Sequence, residues 1–230
     1  MAIGSEKPIS TLTYISSNLF GAVNAGTYNA EIVFEDDYYH YTVTGQYKIN
    51  KAQIQIIANY SDESGTFVKI YDGKPFEPDV KDFSVNSSLG LSVKSYIRAD
   101  DIIDYTEGTK LGFKSFEIVF SNTGESVKSS NVSFDASKVF VDVKINKRKL
   151  DVTLSPISSA PAAGTDLTGI INISNLAEGD IADFSGVYII VSGGFTWLST
   201  AEIVIMRDGT PVTDNYEFVA DEVRGSVFSK

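Results

Sequence analysis

The residues of this chain that could do chemistry are mostly acids. Neighbouring carboxylates stand at Asp36-Asp37, Asp100-Asp101 and Asp221-Glu222. Glycosidic hydrolysis uses two carboxyls held about 5–10 Å apart across a cleft. Adjacent acids in turn-rich sequence project in different directions, so no catalytic residue is assigned to them. Calcium takes about six to eight oxygens from loop carboxylates and carbonyls, and Asp62-Glu63 and Asp79 with Asp82 are the acids that could contribute. No D-x-[DN]-x-[DN]-G loop is present. No metal site is therefore assigned, and calcium is the one cofactor these acids leave open. His40 is the only histidine and there is no cysteine, which excludes multi-histidine and thiolate metal sites, disulfides and a cysteine nucleophile. No G-x-S-x-G elbow, P-loop or G-x-G-x-x-G is present. The chain reads as a protein without catalysis.

The best binding candidates are Tyr38, Tyr39 and Tyr41. In a strand, Tyr39 and Tyr41 share one face and Tyr38 shares the other with His40. Exposed tyrosines stack on sugars or make protein contacts; the competing reading is that one face is core and the other covers a neighbouring domain. Trp197, after Gly193-Gly194-Phe195, reads as a core anchor. An intramolecular isopeptide bond would need a buried lysine, asparagine and acid together. The sequence offers lysines such as Lys51 but does not place all three.

The elements that must position these residues are short strands. Alternating or β-branched runs stand at residues 28–34, 38–44, 54–60, 66–71, 92–97, 114–120, 132–134, 139–145, 149–154, 169–173, 186–192, 197–206 and 216–219. Asp72-Gly73, with Pro75 and Pro78 behind it, and Arg207-Asp208-Gly209-Thr210 are turns, because glycine supplies a positive φ and proline cannot donate to a ladder. Short helices are conceivable at Ala99 to Tyr105 and Leu176 to Phe184. No segment sustains helical periodicity over three turns. The pattern predicts an all-β fold of small Ig-like sandwiches, with β-grasp-like units carrying one short helix as the alternative.

The chain also repeats itself. Lys48-Ile49-Asn50-Lys51 returns as Lys144-Ile145-Asn146-Lys147, 96 residues on, each with a strand running in and another leaving. Ala30-Glu31-Ile32-Val33-Phe34 returns as Phe116-Glu117-Ile118-Val119-Phe120 and as Ala201-Glu202-Ile203-Val204-Ile205. A near-constant period is the mark of a tandem array. It divides the chain into residues 1–50, the end of a truncated first repeat, a complete repeat at 51–147, and a third at 148–230. Lys230 falls about where Lys51 and Lys147 fall, as if the chain were cut at a repeat junction. With 30 acids against 19 bases, the net charge of −11 repels a phosphate backbone, so nucleic acid is not expected as a partner. No run of about 18 apolar residues exists to span a bilayer, and the first residues lack the basic start and apolar stretch of a secretion signal.

Several strings resemble the MBG and YDG domains that recur in large bacterial cell-surface proteins. Lys69-Ile70-Tyr71-Asp72-Gly73-Lys74 is similar to the lysine-x-tyrosine-aspartate-glycine string of the second type. Asn24-Ala25-Gly26-Thr27-Tyr28 resembles their asparagine-alanine-glycine-threonine-tyrosine turn, and Ile49-Asn50-Lys51-Ala52-Gln53-Ile54 their inter-repeat junction. Thr213-Asp214-Asn215-Tyr216 resembles the asparagine-tyrosine pair that precedes each junction. The third repeat has no tyrosine-aspartate-glycine string, and Lys110-Leu111-Gly112-Phe113 stands where the glycine-threonine-tyrosine turn would be. The resemblance implies a stalk or adhesin segment outside a bacterial cell, whose partners are neighbouring repeats and a host or matrix glycan or protein. A carbohydrate-binding module and a virion or appendage subunit are the alternatives.

Overall fold

The computed structural model describes residues 13–18, 21–36, 40–60 and 63–227. In chain order the strands are β1 (Thr13–Ser17), β2 (Gly26–Glu35), β3 (His40–Ile49), β4 (Ala52–Gln53), β5 (Gln55–Ala58), β6 (Phe67–Ile70) and β7 (Phe83–Asn86). Then come β8 (Leu91–Arg98), β9 (Thr106–Phe120), β10 (Val132–Ser133), β11 (Phe140–Asn146), β12 (Arg148–Leu154) and β13 (Ile171–Ser174). The last are β14 (Ile181–Asp183), β15 (Ile189–Ser192), β16 (Phe195–Ser199), β17 (Val204–Arg207), β18 (Thr210–Pro211), β19 (Tyr216–Phe218) and β20 (Glu222–Ser226). The fold is all-β.

No helix of the β-grasp kind occurs among the described residues, whose helical segments are three-residue 3-10 turns at Val80–Asp82, Ala136–Lys138, Thr200–Glu202 and Thr213–Asn215. Neither stretch read as a possible helix forms one. Residues 99–105 are a loop whose Ile102 carbonyl accepts from the Phe76 amide (2.8 Å) and whose Asp101 pairs with Arg98 (3.0 Å). In 176–184, Gly179 takes φ 87°, which ends any helix, and β14 is drawn into pairing with β17.

Of the described residues, one compact unit takes those within Met1–Ile57, Ser84–Ser95 and Glu117–Asp135; the other takes Ala58–Phe83, Tyr96–Phe116 and Ala136–Lys230. The first unit holds the antiparallel sheet β1-β2-β3, the parallel pair of β4 and β10, and the pairing of β5 with β7. Its buried side chains include Val33, Ile54, Ile56, Leu91, Val93, Ile118 and Val132.

The second unit is built around β11 and β12. Alternation in β11 turns Val141, Val143 and Ile145 inward, each 0% exposed, and burying each such side chain contributes about 1.5–3 kcal/mol. Leu150 of β12 is equally buried. Phe83, Tyr96, Phe113 and Phe116 form an aromatic cluster with centroids 4.9–6.2 Å apart, mostly edge to face. Around this core lie the sheets β6-β11-β9-β8, β13-β12-β19, β14-β17-β18 and β15-β16-β20. Strands β8 and β9 lend residues to both units.

The sheet orders recur. β2 lies between β1 and β3, β9 between β8 and β11, and β16 between β15 and β20. The pairing begins alike at the repeated tetrapeptides, with Gly26 facing Ile49 and Thr106 facing Ile145, but β11 then shifts register against β9 between Ile145 and Val143 whereas β3 stays in register with β2. β12 pairs parallel with β19 over its first residues and antiparallel with β13 over its last. β4 and β5, which follow Lys51 as β12 follows Lys147, pair with β10 in parallel and with β7.

Candidate functional site

Two arrangements concentrate the polar side chains. The first is an asparagine clip that occurs twice, once in each unit. In the first unit, Asn131 Oδ1 accepts from the Ala25 amide (2.9 Å) and its Nδ2 donates to Asn24 Oδ1 (2.8 Å). In the second, Asn215 Oδ1 accepts from the Tyr105 amide (2.6 Å) and its Nδ2 donates to Asp104 Oδ1 (2.8 Å).

The setting of the two clips is the same. Each asparagine immediately precedes a short strand, β10 or β19, that runs parallel to the strand leaving the Asn-Lys tetrapeptide. Each clipped pair immediately precedes a long strand, β2 or β9. An asparagine amide suits the task because it offers an acceptor and a donor at once. It thereby satisfies a backbone N–H at a strand entrance and a side-chain oxygen one residue earlier. Around the second clip, Lys147 lies 4.7 Å from the centre of the Tyr105 ring and Lys144 pairs with Glu107 at 2.8 Å. Around the first, the Ala52 amide donates to the Asn131 carbonyl at 2.8 Å and Lys51 Nζ to the Ser129 carbonyl at 3.4 Å.

The second arrangement, in the second unit, is a buried carboxylate. The Asp180 side chain is 0% exposed and pairs through Oδ1 with Arg207 Nε at 2.5 Å. Its Oδ2 accepts from Tyr71 Oη (3.2 Å) and from Tyr216 Oη. The two rings meet edge to face, 5.3 Å apart. Arg207 also donates through Nη1 to the Gly73 carbonyl (2.5 Å) and through Nη2 to the Glu178 carbonyl (3.0 Å). Gly73 takes φ 74°, and a Cβ there would sit 1.8 Å from Arg207 Nη2, so any side chain at this position would strain the backbone and push the guanidinium away. Arg148 donates to the Tyr71 carbonyl (3.3 Å) and the Asn175 carbonyl (2.6 Å). Residues 71–73, from the tyrosine-aspartate-glycine string, are thus held by side chains of residues 148–216.

Burial, then the adjacent Asp180 charge, pushes the Tyr71 hydroxyl up to about 12, and burial with the hydrogen bond to Asp180 raises Tyr216 further still. A raised folded-state value stabilises the fold fully below the unfolded tyrosine range near about 10 and loses that contribution as pH climbs through the folded value. Alkaline titration followed by tyrosinate absorbance is expected to show Tyr71 and Tyr216 ionising late, with unfolding as they do. In Tyr71→Phe/Tyr216→Phe the late phase should shrink to what Tyr96 and Tyr105, also raised, contribute; a wild-type titration completed at about 10 with the fold intact would contradict the arrangement.

The residues singled out from sequence fare unevenly. Tyr38 and Tyr39 lie outside the described residues. Tyr41 lies in β3 opposite Phe34 and is 43% exposed. His40 Nδ1 lies 2.6 Å from Glu35 Oε1, its cross-strand partner, at the surface. Asp79 and Asp82 cap one another's turn: Asp79 accepts from the Lys81 amide and Asp82 from the Asp79 amide. Asp62 lies outside the described residues, and among those described no group of three or more acids or histidines converges.

Trp197 is not a core anchor. Its neighbours Thr196 and Leu198 are the buried residues of β16, and the indole lies half-buried on the opposite face. The Arg224 guanidinium covers Phe195 and Trp197, 3.4 and 5.0 Å from their ring centres. Ile190 of β15 and Tyr188, just before that strand, are 62% and 70% exposed.

Asp180, Arg207, Asn131 and Asp104 were not anticipated as site residues. Asn24, Ala25, Tyr71, Gly73, Asn215 and Tyr216 carry a signal, through the strings in which they occur. No family model matches the chain, and neither a curated protein nor a solved structure does.

Proposed function

We propose that this chain is a structural segment of a tandem array, serving as a stalk or adhesin repeat of a large extracellular bacterial surface protein. Its work is mechanical: successive copies of one β module are fastened where one copy's strand entrance meets the next copy's asparagine. The observation that supports this reading most is the recurrence of the clip at matching positions, Asn131 on Asn24-Ala25 and Asn215 on Asp104-Tyr105. Each clip spans more than a hundred residues of chain, from a strand entrance in one sequence copy to an asparagine of the next. The buried Asp180 adds a second fastening between the middle and third copies, which suits a joint that resists flexing. A net charge of −11 favours solubility of an exposed array.

Force spectroscopy on the full chain tests the mechanical role. Unfolding in more than one step is expected, with Asn131→Ala and Asn215→Ala each lowering the force of a different step. Unaltered forces in both variants would overturn it. Sugar binding is the second reading, favoured by the exposed Tyr188 beside Trp197 on the β15-β16 face. A glycan array with Tyr188→Ala as control separates the two.

A further inference from the structure

We propose that the outer edge of β3, at residues 47–50, receives a parallel strand of the kind that β6 supplies to β11, delivered by another copy of the module. The inference rests on the tandem reading above, and the middle copy provides the precedent for the geometry, there with both strands from one copy.

There, Phe67, Val68, Lys69 and Ile70 run parallel to Val143, Lys144, Ile145 and Asn146, and the Tyr71 amide continues the ladder to the Asn146 carbonyl at 2.9 Å. The third copy keeps a trace of the same strand, since Ile157 bridges Val227 in parallel just beyond β20. β3 matches β11 in its closing tetrapeptide and in setting that tetrapeptide's isoleucine opposite the first residue of its antiparallel neighbour, β2 or β9. Among the described residues, however, β3 is an edge strand.

Burial follows the difference. Val143 and Ile145 are 0% exposed, whereas their counterparts Tyr47 and Ile49 are only half-buried. Further along β3, Val43 is 56% exposed. An edge with open backbone groups and part-covered apolar side chains is a template for strand addition. In that mode backbone hydrogen bonds supply affinity and alternate side chains supply selectivity.

The middle copy also defines the occupant's chemistry. Phe67 and Lys69 lie opposite the two inward residues of β11, and Tyr71 follows, fully buried. The incoming strand therefore places an aromatic ring opposite Tyr47 and a long aliphatic stem opposite Ile49. The backbone N–H of its tyrosine meets the Asn50 carbonyl.

The probe is a fluorescent peptide with the sequence of residues 66–74, titrated into the full chain while backbone hydrogen exchange is mapped. Saturable binding with new protection at residues 47–50 is expected. Methylating the peptide's tyrosine nitrogen, which removes the donor to Asn50, should weaken binding about tenfold, the worth of one such hydrogen bond. A scrambled peptide should not bind. Absence of binding, or protection confined to other segments such as β11 with its own β6 displaced, would overturn the proposal. The amides of Ala25 and Tyr105, read in the same experiment, keep the two ideas apart. If both remain protected while the peptide fails, strand acceptance falls and the clip stands; if both are unprotected in the free chain, the tandem reading itself has failed.

Discussion

Replacing Arg207 with leucine is expected to destabilise the second unit by about 3–5 kcal/mol, the loss typical when one partner of a buried ion pair is removed. The size follows from what remains. Asp180 keeps a fully buried side chain with two tyrosine hydroxyls but no counter-charge, and burying an uncompensated carboxylate costs far more than the pair contributes as a whole. The Gly73 and Glu178 carbonyls lose their guanidinium donors in the same step. The double variant Asp180→Asn/Arg207→Leu should recover much of the loss, because the amide oxygen still accepts from Tyr71 and Tyr216 without needing a charge partner. Urea unfolding near neutral pH measures both. A loss below about 1 kcal/mol in Arg207→Leu, as is usual for an exposed pair, would show that Asp180 is not enclosed as described.

Asn215→Ala is expected to cost about 1–3 kcal/mol, and Asn131→Ala somewhat less because Asn131 is the more exposed of the two. Asn215 is 4% exposed, so the amide of Tyr105 and the Asp104 carboxylate lose their partner where water replaces it poorly. Asn215→Asp should be intermediate: it preserves an acceptor for the Tyr105 amide but sets a second negative charge against Asp104. The order alanine worse than aspartate worse than asparagine is the signature of the two-point contact. Equal stability of all three, by urea unfolding, would mean that Asn215 is held by its backbone alone.

The legible part of the fold was that set by local alternation. Residues 66–71, 139–145 and 149–154 read as strands and are β6, β11 and β12 within a residue or two, because each turns one face to a core. The first half of β9 was illegible: Thr106-Glu107-Gly108-Thr109-Lys110 is polar and carries a glycine, and it is a strand only because β11 pairs with it. Residues 197–206 read as one strand, yet Ser199 accepts from the Ala201 amide and turns the chain through a 3-10 segment with Thr200 buried. Local side-chain hydrogen bonding of this kind competes with the ladder and leaves no mark in hydrophobic periodicity.

The phase of β16 was hidden for a different reason. Thr196 faces inward opposite Gly225, where a Cβ would meet Thr196 Oγ1 at 2.4 Å, so a small residue on the partner strand makes room for a polar one. That pairing exists only in three dimensions, and the indole of Trp197 is displaced to the outer face as its consequence.

The site divides along the same line. Tyr71-Asp72-Gly73 and Asn215-Tyr216 stood out as strings without indicating what they would hold. Asp180 lies in a stretch whose sequence also suits a short helix, and Arg207 in a hairpin marked by its glycine. A carboxylate in a turn looks solvated until the fold brings an arginine and two tyrosines over it. Asn131 had no flag because valine, rather than tyrosine, follows it.

The most direct test of the central claim, that one asparagine device fastens successive copies, is backbone hydrogen exchange at Ala25 and Tyr105. Both amides are expected to be protected in the native chain, with Asn131→Ala releasing Ala25 alone and Asn215→Ala releasing Tyr105 alone. Exchange of both amides at the rate of an open strand entrance in the unaltered protein would contradict the account.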